Sequence, residues 1–443
     1  MRGERRDLWV RARTQRGGGV SGFDDIDSFT DPEVIADPLA YWEHAREHGP
    51  VWREPHHDVV LVTGYDEAIG VLHDHATWSS CNAVSGIEPF PVPLVGDDVT
   101  DLIEAHRHEL LFSEELPTMD PPRHTAHRGL LLRLITPKRL AENEAFMWRW
   151  ADVQLDEVLD RDRCDFVDEF ARPFTAVIIA DLLGVPDEDR TMFRDQMTAK
   201  KRAAYETTGG VDHLVASPFA WMHEPFERYV VERREEPRDD VLSLLATATF
   251  PDGTLPPVHD VVIIAANLFG AGQETTVHLL SAALRTIAED PDVARRLRAD
   301  RALIPGFIEE VLRLSTPLKS TFRLSRVPST VGDVELGAGT SALVVLGAAN
   351  RDPRRFECPH ELRIDRSNAR QHLAFGHGVH TCVGAPLART EARVAIERLL
   401  DRTTDIRISE AHHGPPGARR YQYKANRIIR GLQELHLELR AVG

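Results

Sequence analysis

Residues 374–384 read "AFGHGVHTCVG", one cysteine set among three glycines and two histidines in a chain with only four cysteines. Behind it, "VGAPLARTEARVAIERLL" (383–400) places Ala388, Ala392, Ala395, Ile396 and Leu399 on one apolar stripe, so the spacing predicts a helix over 383–400. Cys382 then stands at a helix N-terminus, where unpaired backbone N–H groups and the macrodipole favour thiolate over thiol. Pro386 falls near the first turn, where a missing N–H costs least. Gly376, Gly378 and Gly384 let the backbone fold tightly around the sulfur, or let something flat lie against it. A sulfur so placed serves as a nucleophile or as a metal ligand. His380 is the base a nucleophile would need, yet near neighbours in an extended loop need not face each other, and no oxyanion or triad pattern recurs elsewhere. An inert buried cysteine would leave both the glycines and the helix start without a role.

Composition bounds the rest. The chain has 443 residues, 42% hydrophobic, 28% charged and 7% aromatic, an ordinary soluble composition with enough length for a large core. Cys81, Cys164, Cys358 and Cys382 lie far apart with no C-x-x-C pair, which argues against a disulfide framework or structural zinc and for a reducing, cytoplasmic setting. No apolar run approaches the roughly 20 residues of a membrane span. The start, "MRGERRDLWVRARTQRGGGVSG", has arginines but no apolar core of a signal peptide; residues 1–22 read as a disordered tail and 23–443 as one domain. A net charge of −17 disfavours nucleic acid and anionic membrane. Against that sign, "RHTAHRGLLLRLITPKR" (123–139) carries Arg123, Arg128, Arg133, Lys138 and Arg139 and no acid, which suggests an anion bound nearby.

Along the chain, 31–49 reads as a helix around Tyr41, Trp42 and Ala45, and "VWREPHHDVVLVTG" (51–64) as a hairpin. Residues 81–118, with prolines at 89, 91 and 93, read as a long irregular loop, a length usually kept for function. Helical periodicity dominates from 121 to 315. Short β-like runs follow ("STFRLSR", "DVELGAG", "TSALVVLG"), then an irregular stretch, the 383–400 helix and a hairpin-like tail around "NRIIRG". The fold class is mainly α with a smaller β portion.

Phe375, Gly376, Gly378, His380, Cys382 and Gly384 form the pattern F-G-x-G-x-H-x-C-x-G, which resembles the haem-binding loop of the cytochrome P-450 family. Six fixed positions at about 5% each imply a chance match of roughly 10⁻⁵ in this length. Three more family patterns follow the expected order. "FGAGQETTVHLL" (269–280), midway along an apolar helix starting near His259, resembles the oxygen-binding helix through Ala271, Gly272, Glu274 and Thr275. Gly270 and Gly272 in a helix interior cost about 1 kcal/mol each relative to Ala, so a compensating role is expected. "EEVLR" (309–313) resembles the structural E-x-x-R pair through Glu310 and Arg313; the family's later arginine is replaced by Glu361, so the third member stays unassigned, with Arg351 and Arg354 as substitutes. "DPPRHTAHRGLL" (120–131) resembles the H-x-x-x-R helix through His124 and Arg128. With Arg323 and His380 these would make four donors for two haem propionates. "ANRDP" (349–353) and "APLAR" (385–389) are typical of the soluble bacterial branch.

The resemblance, over about residues 30–440, implies a cytochrome P-450 fold with haem b between the long central helix and the cysteine helix, its iron held by Cys382. It implies a monooxygenase that inserts one oxygen atom of dioxygen into a medium-sized hydrophobic substrate, by hydroxylation or epoxidation, with Glu274 and Thr275 managing protons. Substrate contacts are expected from Val84, Ile87, Phe90, Val92 and Val95 of the loop, Ala266, Phe269 and Gly270 of the long helix, Leu318 of "PLKS", and Ile428 and Ile429. Lys319 points either into that pocket, toward a substrate carboxylate, or to solvent. No G-x-G-x-x-G opens a helix after a strand, so electrons from NAD(P)H must arrive through a separate ferredoxin-type protein, expected to dock near the cationic strip and Arg389. A haem-binding sensor would need no proton relay, and a cysteine hydrolase using Cys382 and His380 would be colourless.

Overall fold

The computed structural model describes residues 22–206, 220–424 and 426–442, with backbone alone for 197–206 and 220; the expected tail, but for Gly22, lies outside them. Ten helices position the site: α1 (Leu39–Glu47), α2 (Tyr65–His73), α3 (Arg123–Leu132), α4 (Pro137–Leu159), α5 (Arg172–Leu183), α6 (Asp187–Glu206), α7 (His223–Glu235), α8 (Val258–Glu289), α9 (Ile304–Leu314) and α10 (Ala385–Arg402). The apolar run from 258 has no proline inside it and forms one helix of 32 residues, α8, most of it buried. Helix α10 starts directly after Gly384, with Pro386 in its first turn, where a missing N–H costs little, and Arg402 in its last, where a cation suits the macrodipole. Its expected stripe is the buried face: Ala392, Ala395, Ile396 and Leu399 are fully enclosed. Helix α8 packs on α5, α7 and α10 at the centre of the main hydrophobic cluster.

Among the described residues, ten strands complete the fold. Strands β1 (Val51–Arg53), β2 (Val59–Val62), β3 (Trp78–Ser79), β5 (Thr321–Ser325) and β8 (Ser341–Val344) form one sheet in the order β1-β2-β8-β5-β3. Its pairs are antiparallel except β2 with β8, where Val60 meets Ala342. Strands β4 (Arg163–Asp165), β9 (Thr403–Ile408) and β10 (His436–Ala441) form a second sheet, and β6 (Ser329–Val331) with β7 (Val334–Leu336) a two-stranded ribbon.

Three expectations are corrected. The 31–49 helix is two helices, Pro32–Ala36 and α1, broken at Asp37, which the following Pro38 keeps out of the helical region. The 81–118 loop contains a helix, Thr100–His106. The tail around "NRIIRG" makes the isolated bridges Leu318–Ile429 and Tyr423–Leu432 rather than a regular hairpin. Among the described residues, no helix is long and apolar enough to cross a membrane.

Candidate active site

The cysteine loop is tied down by backbone geometry. The Cys382 N–H donates to the Phe375 carbonyl at 2.8 Å, closing the loop on itself. Gly376 and Gly378 have φ of +68° and +71°, where side chains are strained. At Gly378 a Cβ would come 2.3 Å from the Leu72 carbonyl oxygen, so this glycine admits the end of α2 and not a flat ligand. At Gly384 a Cβ would stand 3.7 Å from the Cys382 sulfur, so this glycine keeps the sulfur's side clear. Phe375 lies beneath the Arg389 guanidinium, 4.5 Å from ring centre. Arg389 is held by Glu309 at 2.6 and 2.9 Å, and His372 adds a third contact at 3.1 Å. Burial raises the Glu309 carboxyl, but the bonds from His372 and Arg389 outweigh it and lower its pKa to about 2. Arg389 is therefore a buttress of the loop.

Cys382 keeps accessible surface although protein surrounds it. Burial pushes the thiol up, opposed by the N–H groups of Gly384 and Ala385 and by Arg128 and Arg389. The helix terminus and two cations thus offset desolvation only in part.

Across from α10, the middle of α8 opens. Ala271 is exposed and Gly272 and Thr275 are half-buried, while Phe269, Gly270, Gln273 and Thr276 beside them are buried. Glu391 of α10 bonds Thr276 of α8, so the two helices cross beside this opening. The Thr275 hydroxyl donates to the Ala271 carbonyl one turn back, at 2.8 Å. Gly272 faces elsewhere: a Cβ there would sit 3.2 Å from Ile179 of α5. Phe269 is turned away as well. It is fully buried, 5.1 Å from the Phe193 ring and 6.5 Å from the Phe226 ring, so it fills the core between α6 and α7 rather than lining an open pocket.

Glu274 sits at the hub of a polar cluster that no motif announces. Arg172 of α5 reaches it at 3.3 Å, His278 lies 3.1 Å away, and the Lys424 ammonium bonds it directly. All three partners are almost wholly enclosed. Arg172 also pairs with Asp168 at 2.9 Å.

Four donors converge at the other edge. The His124 and His380 rings lie 4.0 Å apart, and His380 bonds the Ser80 hydroxyl at 3.0 Å. Arg128 donates to the Thr381 carbonyl, and Arg323 reaches inward from β5, bonding, among the described residues, only Thr321 and the Phe322 carbonyl. Desolvation and then Arg128 lower His124 to about 4; desolvation and then Arg323 lower His380 to about 2. Burial lowers Arg323 to about 10, and burial lowers Arg128 too. Both ring nitrogens of His124 are buried without a partner. The neighbouring acid, Asp120, is already engaged by Arg107 at 2.6 Å, Arg326 at 2.7 Å and the Ser80 N–H at 2.8 Å. Positive charge with buried, unused donors is left facing inward, and this set fits an anion carrying two carboxylates.

The remaining expected residues fall in place around this frame. Glu310 takes both oxygens' bonds from Arg313 at 2.7 and 2.9 Å. The third member is Arg366, at 2.9 Å; Arg351 instead binds the Leu314 carbonyl, and Arg354 pairs with Glu67 and Asp352. Arg313 also donates to the carbonyls of Asn350, Pro359 and Glu361, so Glu361 serves through its backbone. Ile87 packs against the cluster that includes Phe29, Tyr41 and Phe322, Phe90 against the Cys81, Val99 and Ile103 cluster, and Leu318 lies beside Ile429. Lys319 meets neither expectation: it is buried and donates to the Ile35 carbonyl at 2.7 Å. Of the cationic strip, Arg128 turns inward, Arg139 pairs with Glu142 and Asp239, and Arg123, Arg133 and Lys138 are exposed.

Comparison with known proteins agrees with this geometry. The sequence profile of the family "Cytochrome P450" matches residues 222–404. Cytochrome P450 144 of Mycobacterium tuberculosis is 33% identical over 400 residues, 87% of each chain. Cytochrome P450 monooxygenase PikC of Streptomyces venezuelae is 34% identical over 426 residues, 92% of each. The substrate-free structure of Mycobacterium marinum cytochrome P450 CYP150A6 superposes with a TM-score of 0.89 at 50% identity, covering 95% of this chain and 100% of the other. The chain belongs to the cytochrome P-450 family. Its fold is the family's fold, and it is a haem-dependent monooxygenase.

Proposed function

We propose that this chain inserts one oxygen atom of dioxygen into a medium-sized hydrophobic substrate, by hydroxylation or epoxidation, with electrons delivered by a ferredoxin-type partner. The observation that carries the reading is the pairing of an accessible sulfur at a helix start with inward-facing His124, Arg128, Arg323 and His380 across the loop. In this reading Cys382 ligates the iron, and the four donors hold the propionates by charge-assisted hydrogen bonds. Haem held by a thiolate would supply the activation of dioxygen.

The chain's own residues do the rest. Ala271 and Thr275 border the reaction space on α8. Thr275 holds its hydroxyl proton against the Ala271 carbonyl, from which rotation of the O–H about the Cβ–Oγ bond re-aims it. Glu274 lies one residue away and would resupply a proton through its buried hydrogen-bond partner Lys424. Ile87, Phe90, Leu318 and Ile429 form the apolar substrate surface. Lys319 is spent on Ile35, so substrate carboxylates have no counterion there. The exposed Arg123 and Arg133 present the charge that an acidic ferredoxin would meet, and electron-transfer rates should then fall as salt rises.

The test is spectroscopic. Reduced protein under carbon monoxide should give the long-wavelength Soret band of sulfur ligation, and Cys382→Ala should abolish it; a band that survives the substitution overturns the assignment. Compounds that shift the Soret band of the oxidised protein then define the substrate class.

A further inference from the structure

Outside the cysteine loop, the first described turn of the chain meets α1. Asp24 lies in a short 3-10 turn, Phe23–Asp25, and His44 and His48 lie one helical turn apart, His48 being the residue that ends α1. Among the described residues these three bring together the one cluster of at least three His, Cys, Asp or Glu ligand atoms with metal-binding separations. Asp24 Oδ1 is 2.9 Å from His44 Nε2 and 3.9 Å from His48 Nε2, and all three ligand atoms lie within 4.8 Å of one another.

We propose that Asp24, His44 and His48 form a zinc site, a class of ligand that the oxidation chemistry does not use. Zinc takes imidazole nitrogen and carboxylate oxygen at about 2.0–2.2 Å, which sets neighbouring ligand atoms about 3.3 Å apart in a tetrahedron. The observed separations bracket that value. Two imidazoles with one carboxylate suit zinc over calcium or magnesium, which prefer oxygen ligands.

The rings are held in place before any ion arrives. The His48 Nδ1 is engaged by the His44 carbonyl at 3.2 Å, leaving Nε2 as the ligand nitrogen, a second contact that fixes tautomer and orientation. His48 stacks on Trp52 at 4.9 Å, and Phe23 stacks on His44 at 5.3 Å. The His44 Nδ1 has no such partner, which weakens the site by about 10–100-fold relative to a fully supported one and points to micromolar affinity. Side-chain exposure of 65% for Asp24 and 39% for His48 gives the ion an entry path and leaves a fourth position to water. Bound zinc would clamp the Phe23–Asp25 turn to α1.

The test uses the full-length, haem-loaded protein after chelator treatment and desalting, titrated with zinc chloride by calorimetry. One equivalent with micromolar affinity is expected, with a rise in Tm of about 3 °C at 100-fold excess over Kd. His48→Ala and Asp24→Asn alter exposed side chains and should each weaken binding at least tenfold and remove the rise in Tm. Absence of a one-equivalent binding event overturns the proposal, as does equal affinity in both variants, which would place zinc elsewhere on the protein.

Discussion

Replacing Glu274 by Gln separates two roles that the expected motif merges. The carboxylate is the shared acceptor of Arg172 and Lys424, whose side chains are only 2% and 6% exposed. Removing one partner of a buried ion pair costs about 3–5 kcal/mol. Two features pull the value to the low end: Arg172 keeps Asp168 at 2.9 Å, and a buried lysine can shed its proton. About 3 kcal/mol is expected. Unfolding entropy near 2.1 cal/mol/K per residue over 443 residues is about 0.9 kcal/mol/K, so Tm should fall by about 3 °C. Thr275→Ala is the control. It removes one hydroxyl bond to its own helix, worth about 1 kcal/mol, and returns about half of that through better helix propensity, so Tm should move by less than about 1 °C. Both variants should lose substrate oxidation. Circular dichroism melts of the haem-loaded proteins read the difference, and a cycle with Lys424→Met should give a coupling of at least about 1 kcal/mol. A Glu274→Gln melt within 1 °C of the wild type would refute the argument that this carboxylate holds buried charge.

Two further outcomes follow from the charge network. Arg366→Ala should lower Tm by about 2–3 °C, since it removes one of the two cations paired with the wholly buried Glu310, a loss below the about 3–5 kcal/mol of a fully broken buried pair because Arg313 remains, whereas Arg363→Ala, which leaves the backbone N–H on Glu310, should do little; equal melts would refute this. Glu391 is fully enclosed, bonded by Thr276, with its other oxygen unpartnered, and burial raises its pKa well above the ordinary carboxyl range. A raised folded pKa means stability is complete below the unfolded value and is lost as pH climbs toward the folded one, at about 1.4 kcal/mol per pH unit. Glu391→Gln stays neutral throughout, so its Tm should gain on the wild type from pH 5 to pH 8; parallel curves would refute the assignment.

The legible parts of this fold were those written in local pattern. The α10 stripe, the 32-residue α8 and the loop glycines follow from spacing and from φ preferences. Long-range electrostatics left no such trace. Lys424 lies 150 residues from Glu274, and Arg366 lies 53 beyond Arg313, outside the family's arginine position. Phe269 shows the same limit from the apolar side. Helical periodicity marks a face as buried, but only the positions of Phe193 and Phe226 decide whether that face meets a neighbour or a ligand. Gly378 looked like room for a flat ring and instead admits the Leu72 carbonyl, since close approach is a property of two backbones and one glycine announces only its own.

The electrostatic plan of the site is asymmetric, and that asymmetry bears on loading. On the α8 side the charge closes internally: Glu274 is matched by Arg172 and Lys424. On the loop side it does not close, because Asp120 is spent on Arg107 and Arg326, and His124 and His380 are forced neutral beside Arg128 and Arg323. Buried cations without counter-charges oppose folding, so the protein alone holds this edge at a cost, and a ligand bringing two carboxylates removes it. With the propionates on these four side chains, as proposed, haem uptake and stability would be linked through them. A loss of positive charge there, as in Arg323→Met, lowers the affinity for haem while relieving the strain of the haem-free protein. The two effects have opposite signs, which a purely steric socket would not produce.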